Sequence, residues 1–316
     1  RQQITEPSKE IKLQKYIQKL QKITDSVSSK VRDQYEKNPY PRWVNVQMSY
    51  QRKSVSDVIQ ELKIKTINSS INKITNPQIL IAGCGTGSHP IGSESRYLNP
   101  NIVAVDLSLN SLTYAKRKTD ELGLKNIRYV QGDILDISHL DMRFDIIESC
   151  GVLHHMQDPL AGWASLVDCL KPGGLMRIAL YSELARTNVV KIREEFSDLN
   201  IKFNNKTLKL CRRKIFESQE NHHRSISTSL DFYSVSTFRD LLFHVQEHRF
   251  TISQIKNNLA DLGLFFCGFG DNKLISKAKV LGMSGDDIYS LQEWQNYENF
   301  HPTLFSGMYE FWCQKI

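Results

Sequence analysis

The 316-residue sequence has no apolar run approaching the ~20 residues that a membrane-spanning helix needs. Its opening stretch, Arg1 to Gln21, is too polar for a signal peptide, so a cytosolic site without membrane contact is expected. A chain that starts with arginine also leaves room for upstream sequence, including another domain. Six cysteines (Cys84, Cys150, Cys169, Cys211, Cys267, Cys313) stand far apart with no Cys-x-x-Cys pair. That spacing argues against a zinc cluster and against a disulfide framework; they read as reduced thiols, and no metal site is expected. Apolar residues at 40% and charged residues at 24% exclude a disordered or fibrous chain. The net charge is +7, and Arg186 to Arg224 holds ten Lys and Arg against five acidic residues. Solvated helices account for that excess, with an RNA-binding surface as the alternative.

What the sequence does contain changes character along its length. In residues 8 to 37, Leu13, Tyr16, Ile17, Leu20, Ile23 and Val27 recur at helical spacing, which predicts a lid or connecting helix stopped by Pro39 and Pro41. From Pro77, short β-branched runs alternate with helical patterns, the signature of parallel strands joined by crossovers. Residues 78–82, 101–105, 126–130, 144–148 and 175–181 read as strands, with helices beginning near Ser88, Leu109, Ile134 and Pro159. After Tyr181 the strand rhythm stops, and it resumes at 264–269 and 308–314. The expected fold is therefore α/β: a doubly wound, mostly parallel seven-stranded sheet. Its divisions are an N-terminal helical lid or connector over 1–76, a cofactor-binding core over 77–182, a helical insertion capping the acceptor side over 183–250, and completion of the sheet over 251–316.

The strand Gln78 to Ala82 runs into Gly83-Cys84-Gly85-Thr86-Gly87 before a helix. Glycines let a chain turn sharply and bring backbone N–H groups against a ligand at a helix start. The dinucleotide fingerprint Gly-x-Gly-x-x-Gly fails, because Ser88 falls where its third glycine belongs. Gly83-x-Gly85-x-Gly87 is the spacing of adenosylmethionine-binding loops. Asp106 ends the next strand, where a carboxylate can accept from both ribose hydroxyls, and Asp133 follows the third strand, where it can accept from the adenine amine. Leu107 and Ile134 would be apolar walls.

Those blocks, together with Gly151 to Pro159 and Leu170-Lys171-Pro172-Gly173-Gly174, resemble the class I S-adenosylmethionine-dependent methyltransferase superfamily over roughly 77–182. The blocks Asn38 to Trp43 and Gly307 to Trp312 resemble bacterial methyltransferases often joined to helical-repeat domains. The resemblance implies a Rossmann-like fold, S-adenosyl-L-methionine as cofactor, S-adenosyl-L-homocysteine as product, and Gly83, Cys84, Gly85, Thr86, Gly87, Asp106, Leu107, Asp133, Ile134, Cys150 and Gly151 around the cofactor. One departure stands out: the family usually carries an acidic residue two positions before the first loop glycine, where this chain has Ile81, so another acceptor must hold the methionine ammonium group. The implied reaction is in-line displacement at a sulfonium methyl, for which the protein supplies alignment and exclusion of water.

If the acceptor must lose a proton, His154 and His155, after the fourth strand, are the candidate bases. Tyr35, Tyr40, Arg42 and Trp43 would close as a lid. His244-x-x-x-His248 with Glu247 between matches an inverted zinc-protease pattern if helical, but it lacks a third ligand and reads instead as acceptor-pocket lining with Tyr233 and Arg239. The acceptor is expected to be a protein side chain or a small molecule. A non-catalytic cofactor-binding module and an RNA methyltransferase are the alternatives.

Overall fold

The computed structural model describes residues 4–197, 205–305 and 307–316, so Arg1 and residues 198–204 of the segment read as an insertion lie outside it. The strands are β1 (Gln18–Lys19), β2 (Gln78–Ala82), β3 (Asn101–Asp106), β4 (Ile127–Gln131), β5 (Phe144–Cys150), β6 (Leu170–Tyr181), β7 (Leu264–Gly268) and β8 (Met308–Lys315). They form one sheet in the order β1-β4-β3-β2-β5-β6-β8-β7. All neighbours are parallel except β8, which runs antiparallel to both β6 and β7. The sheet thus has eight strands rather than the seven expected.

The helices are α1 (Thr5–Leu13), α2 (Ser26–Lys37), α3 (Val55–Glu61), α4 (Ser88–Arg96), α5 (Leu109–Glu121), α6 (Pro159–Cys169), α7 (Thr187–Ser197), α8 (Asn205–Glu217), α9 (Asn221–Ser227), α10 (Val235–Phe243), α11 (Ile252–Asp261), α12 (Asn272–Val280) and α13 (Leu291–Phe300). Strand alternation assigns the core to two faces. Leu80, Ala82, Val103 and Val105 point to one buried cluster, Ile79, Ile81, Ile102 and Ala104 to the other. Continuous apolar strands such as Ile79–Ala82 are what a parallel sheet covered on both faces requires.

The extra strand comes from a misread stripe. Instead of one helix over 8–37 there are two, α1 and α2, separated by residues 14–25. The apolar residues between them serve the sheet: Ile17 is buried, Gln18 and Lys19 pair with Val130 and Gln131, and the Leu20 N–H donates to the Gln131 carbonyl at 2.9 Å. Asp25 then starts a fresh helix by accepting from the Ser28 N–H at 2.7 Å. A second correction concerns His244 and His248. Helix α10 ends at Phe243 and His244 is already extended (φ −62°, ψ 143°), so the two histidines do not share a helix face.

Helices α7 to α10 pack around their own apolar cluster, including Ile192, Phe196, Leu208, Ile215, Phe232 and Phe238. Buried Arg186 ties this unit to the following loop, its guanidinium donating to Glu247 at 2.9 and 2.6 Å. Among the described residues no helix is long and apolar enough to cross a membrane.

Candidate functional site

Strand β2 sits between β3 and β5, so successive connections leave it in opposite directions and a crevice opens at its carboxyl end. A cavity of about 280 Å³ occupies that crevice. The Gly83–Gly87 turn, Asp106 with Leu107, and Asp133 with Ile134 bring residues to one space: Gly83, Cys84, Gly85, Asp106, Leu107, Asp133 and Ile134 all line it, as do Cys150 and Gly151 at the end of β5.

The turn needs its glycines. Gly83 has φ +77°, and a Cβ there would stand 2.3 Å from Val152 Cγ2; Gly85 has φ +51°, and its Cβ would meet the Tyr40 carbonyl oxygen at 2.9 Å. The turn is also fastened to β3, since the Gly85 N–H donates to Asp106 Oδ2 at 2.8 Å while the Ser108 N–H donates to Oδ1 at 2.9 Å. Each oxygen keeps a second acceptor position. Burial pushes the Asp106 carboxyl up to about 6 despite those two bonds, and burial likewise raises Asp133.

Thr86 and Gly87 stand outside the cavity, contrary to expectation. The Thr86 hydroxyl donates to the Pro41 carbonyl and its own carbonyl accepts from Trp43 Nε1 at 3.1 Å, so Thr86 holds the 38–46 segment onto the turn. Gly87 packs against Ala115 and begins α4. Tyr40 lines the cavity, whereas Arg42 and Trp43 border a different depression beside Tyr114 and Arg117.

Helix α2 forms one wall through Ser28, Val31 and Tyr35, spaced by three and four so that one face meets the cavity over ~10 Å. Ser28 lies at Asp133 and Tyr35 at the opposite end. There the Tyr35 hydroxyl donates to Asp240 Oδ1 at 2.7 Å and stands 3.1 Å from His244 Nε2. His244 Nδ1 stands 2.8 Å from the Gln246 carbonyl oxygen and 3.3 Å from the Gln246 N–H, which fixes the ring with Nε2 toward Tyr35. Burial pushes the Asp240 carboxyl up to about 6, opposed by the Tyr35 bond. Tyr181, Met156 and Met308 complete this end.

The paired histidines divide. His155 lines the cavity, with Nδ1 held 2.7 Å from the Gln246 carbonyl and its ring stacked on His244 at 3.5 Å between centroids. Burial pulls its pKa down to about 3, so it is neutral and a weak base at physiological pH. His154 stands outside the cavity: its ring stacks under Tyr181 at 3.8 Å, and its Nδ1 accepts from the Tyr181 N–H at 3.2 Å. It packs beneath Tyr181. His244 is buried beside Tyr35 as described, but Tyr233 is exposed, its hydroxyl donating to the Ser227 carbonyl, and Arg239 stands outside the cavity.

Two features escaped the sequence. Asp240 and Tyr181 carry no local signal of proximity, since tertiary folding alone brings α10 and the end of β6 to α2. Ile81 is fully buried, and its register partner on β5 is Glu148, whose side chain shares its face of the sheet. Glu148 receives His89 Nε2 at 2.7 Å, Ser93 Oγ at 3.1 Å and Arg177 at 3.0 Å, and His89 lines the cavity. Burial opposes ionisation of Glu148, yet His89 and Arg177 hold its carboxyl well below the usual range.

Residues 79–174 match the family model described as a methyltransferase domain. Those residues form a methyltransferase domain. Around that domain, 238 residues are 29% identical to an uncharacterized protein of Synechococcus sp., covering 71% of this chain and 57% of that protein. Another relative, a demethylmenaquinone methyltransferase of Staphylococcus saprophyticus, is 30% identical over 128 residues, 40% of this chain and 54% of that enzyme. The chain thus spans little more than half the length of these curated relatives. PKMT2 from Rickettsia typhi, solved in complex with AdoHcy, superposes with a TM-score of 0.60 at 17% identity, covering 86% of this chain and 54% of that one. At that identity the likeness establishes the methyltransferase fold, Rossmann-like and open-sheeted.

Proposed function

We propose that this protein transfers the methyl group of S-adenosylmethionine, bound in the β2 crevice, to an acceptor entering beside Tyr35, Tyr181 and Asp240. The observation that carries this reading is the convergence of the glycine turn, Asp106 and Asp133 on one cavity. The donor and acceptor set suits the nucleoside. Asp106 keeps one acceptor position on each oxygen for the ribose hydroxyls, Asp133 can take the adenine amine, and Leu107 and Ile134 offer apolar surface to the base. Cys150 and Gly151 line the same cavity at the end of β5, and the sulfonium would sit beside them.

The amino-acid end of the cofactor needs a partner that Ile81 cannot supply. His89 takes that part: with Nε2 on Glu148, its remaining ring nitrogen can accept from the ammonium, and the Glu148 carboxylate supplies negative charge from the strand position adjacent to Ile81. Once bound, the cofactor provides the electrophilic methyl. The chain's own contribution is to align the acceptor and exclude water, through Tyr40 and Pro41 over the turn and α2 along the side.

The acceptor is a protein side chain or a small molecule. Calorimetry with S-adenosylhomocysteine, followed by incubation of the protein with cell extract and a methyl-deuterated cofactor, tests the proposal. Binding together with deuterated methyl in one extract component is the expected result. No binding would sink the reading; firm binding with no labelled component would leave a cofactor-binding module without transfer.

A further inference from the structure

The charge and surface chemistry at the far end of the cavity are specific enough to name a class of acceptor. Resting on the reading of the crevice as the cofactor site, we propose that the acceptor is an amine, received as its ammonium ion by Tyr35, Tyr40, Tyr181 and the carboxylate of Asp240.

Three tyrosines from three elements, α2, the 38–46 segment and β6, meet one buried carboxylate from α10 there. Burial keeps all three phenols neutral, well above their ordinary range, so they bring hydroxyls rather than negative charge. Neutral phenol oxygens, which can accept, beside a buried carboxylate make a receptor for a cation in a desolvated site. The neighbouring charges agree. Asp231 lies against the Tyr40 hydroxyl and adds a second carboxylate. Two guanidiniums stand behind this end and both are bonded away from it: Arg186, 3.8 Å from the Tyr181 ring centroid, donates to Glu247 and to the Leu241 carbonyl, and Arg193 donates to Glu247 and to the His244 carbonyl. His155 is neutral. A carboxylate or phosphate acceptor would meet like charge, and a neutral hydroxyl would leave Asp240 without a counterion.

The chemistry balances. The ammonium gives one proton to the Asp240 carboxylate, whose elevated pKa of about 6 makes it a competent acceptor, and burial lowers the pKa of the amine itself. The freed lone pair forms the N–C bond as the S–C bond breaks, leaving a neutral thioether and a methylated ammonium. The proton on Asp240 returns to water as product leaves. Tyr35, held by His244, is a positioning residue that fixes the carboxylate.

The test titrates the protein with n-butylammonium and with neutral 1-butanol, with and without saturating S-adenosylhomocysteine. Butylammonium should bind at least tenfold more tightly than butanol, and Asp240→Asn should abolish that preference while nucleoside affinity stays within about threefold. Equal binding of the two probes, binding of neither, or a preference that survives Asp240→Asn would overturn the proposal. Because the amine titration is also run on free protein, failure of the nucleoside to bind refutes the cofactor reading without deciding this one. In extract labelled with deuterated methyl, label on nitrogen in the macromolecular fraction or in the small-molecule fraction distinguishes a protein amine from a metabolite, and base-labile methyl ester in either fraction refutes both.

Discussion

The two ends of the cavity are built differently. The nucleoside end is made by the backbone of consecutive strand ends: a turn that only glycine tolerates, and carboxylates fixed by main-chain N–H groups. The acceptor end is made by side chains from segments far apart in sequence, α2, β6 and α10, with Tyr35 and Asp240 separated by 205 residues. The first is a property of the fold and the second of this chain. Substitutions at the nucleoside end should therefore abolish binding of any adenosine compound, and those at the acceptor end should spare it.

The strongest break of that contrast is Asp106→Ala. It removes the ribose acceptors and orphans the Gly85 and Ser108 N–H groups, so the loss should reach about 3 kcal/mol or ~100-fold in S-adenosylhomocysteine affinity. Calorimetry on the folded variant, checked by far-UV circular dichroism, reads it. An affinity within threefold of the parent would show that the turn holds its ligand without Asp106.

Next in size is pH. Because burial raises the Asp106 carboxyl to about 6, the acceptor form is lost on acidification, and affinity should fall roughly tenfold between pH 7 and pH 5. Stability through this group moves oppositely. Its elevated pKa means the contribution is full below the unfolded value near 3.8 and disappears as pH rises through 6. Buried neutral His155 and His244, with lowered pKa values, oppose that trend, so the readout is affinity rather than melting temperature. Asp106→Asn should flatten the profile.

His89→Gln sharpens the contrast within the nucleoside end itself. If the Glu148–His89 pair receives the cofactor's amino-acid portion, the variant should bind S-adenosylhomocysteine about fivefold more weakly and bind 5′-methylthioadenosine, which lacks that portion, unchanged. Equal loss for both compounds would mean that His89 only shapes the turn.

The same contrast explains what could be read in advance. The glycine spacing, Asp106 and Asp133 are local patterns on consecutive strand ends, and the sheet order turns them inward without further information. Thr86 shares the pattern of the whole turn but lies outside the cavity, its hydroxyl taken by the Pro41 carbonyl. The stripe over 8–37 looked like one helix because Ile17 and Leu20 fall in helical phase while serving a strand edge. Ser28, Val31 and Tyr35 did carry a legible three-four spacing, but nothing in that spacing says which element the face will meet. Asp240, 205 residues away, has no periodic signal at all.

His154 is where sequence and geometry part most plainly, and it should produce the smallest effect. Adjacent to His155 and following the same strand, it carries the same motif signal, yet Tyr181 covers it and its Nε2 is buried without a partner. An unpaired buried donor contributes nothing to binding and costs stability, whereas Nδ1 satisfies the Tyr181 N–H. His154→Asn offers an amide oxygen near the place of Nδ1 and gives up the ring stack. Nucleoside affinity and transfer rate should stay within twofold, with stability lower by about 1 kcal/mol, roughly 2 °C in Tm for a chain of this size. A tenfold fall in transfer rate with unchanged Tm would instead place His154 in the chemistry, and would mean that Tyr181 swings aside when the acceptor enters.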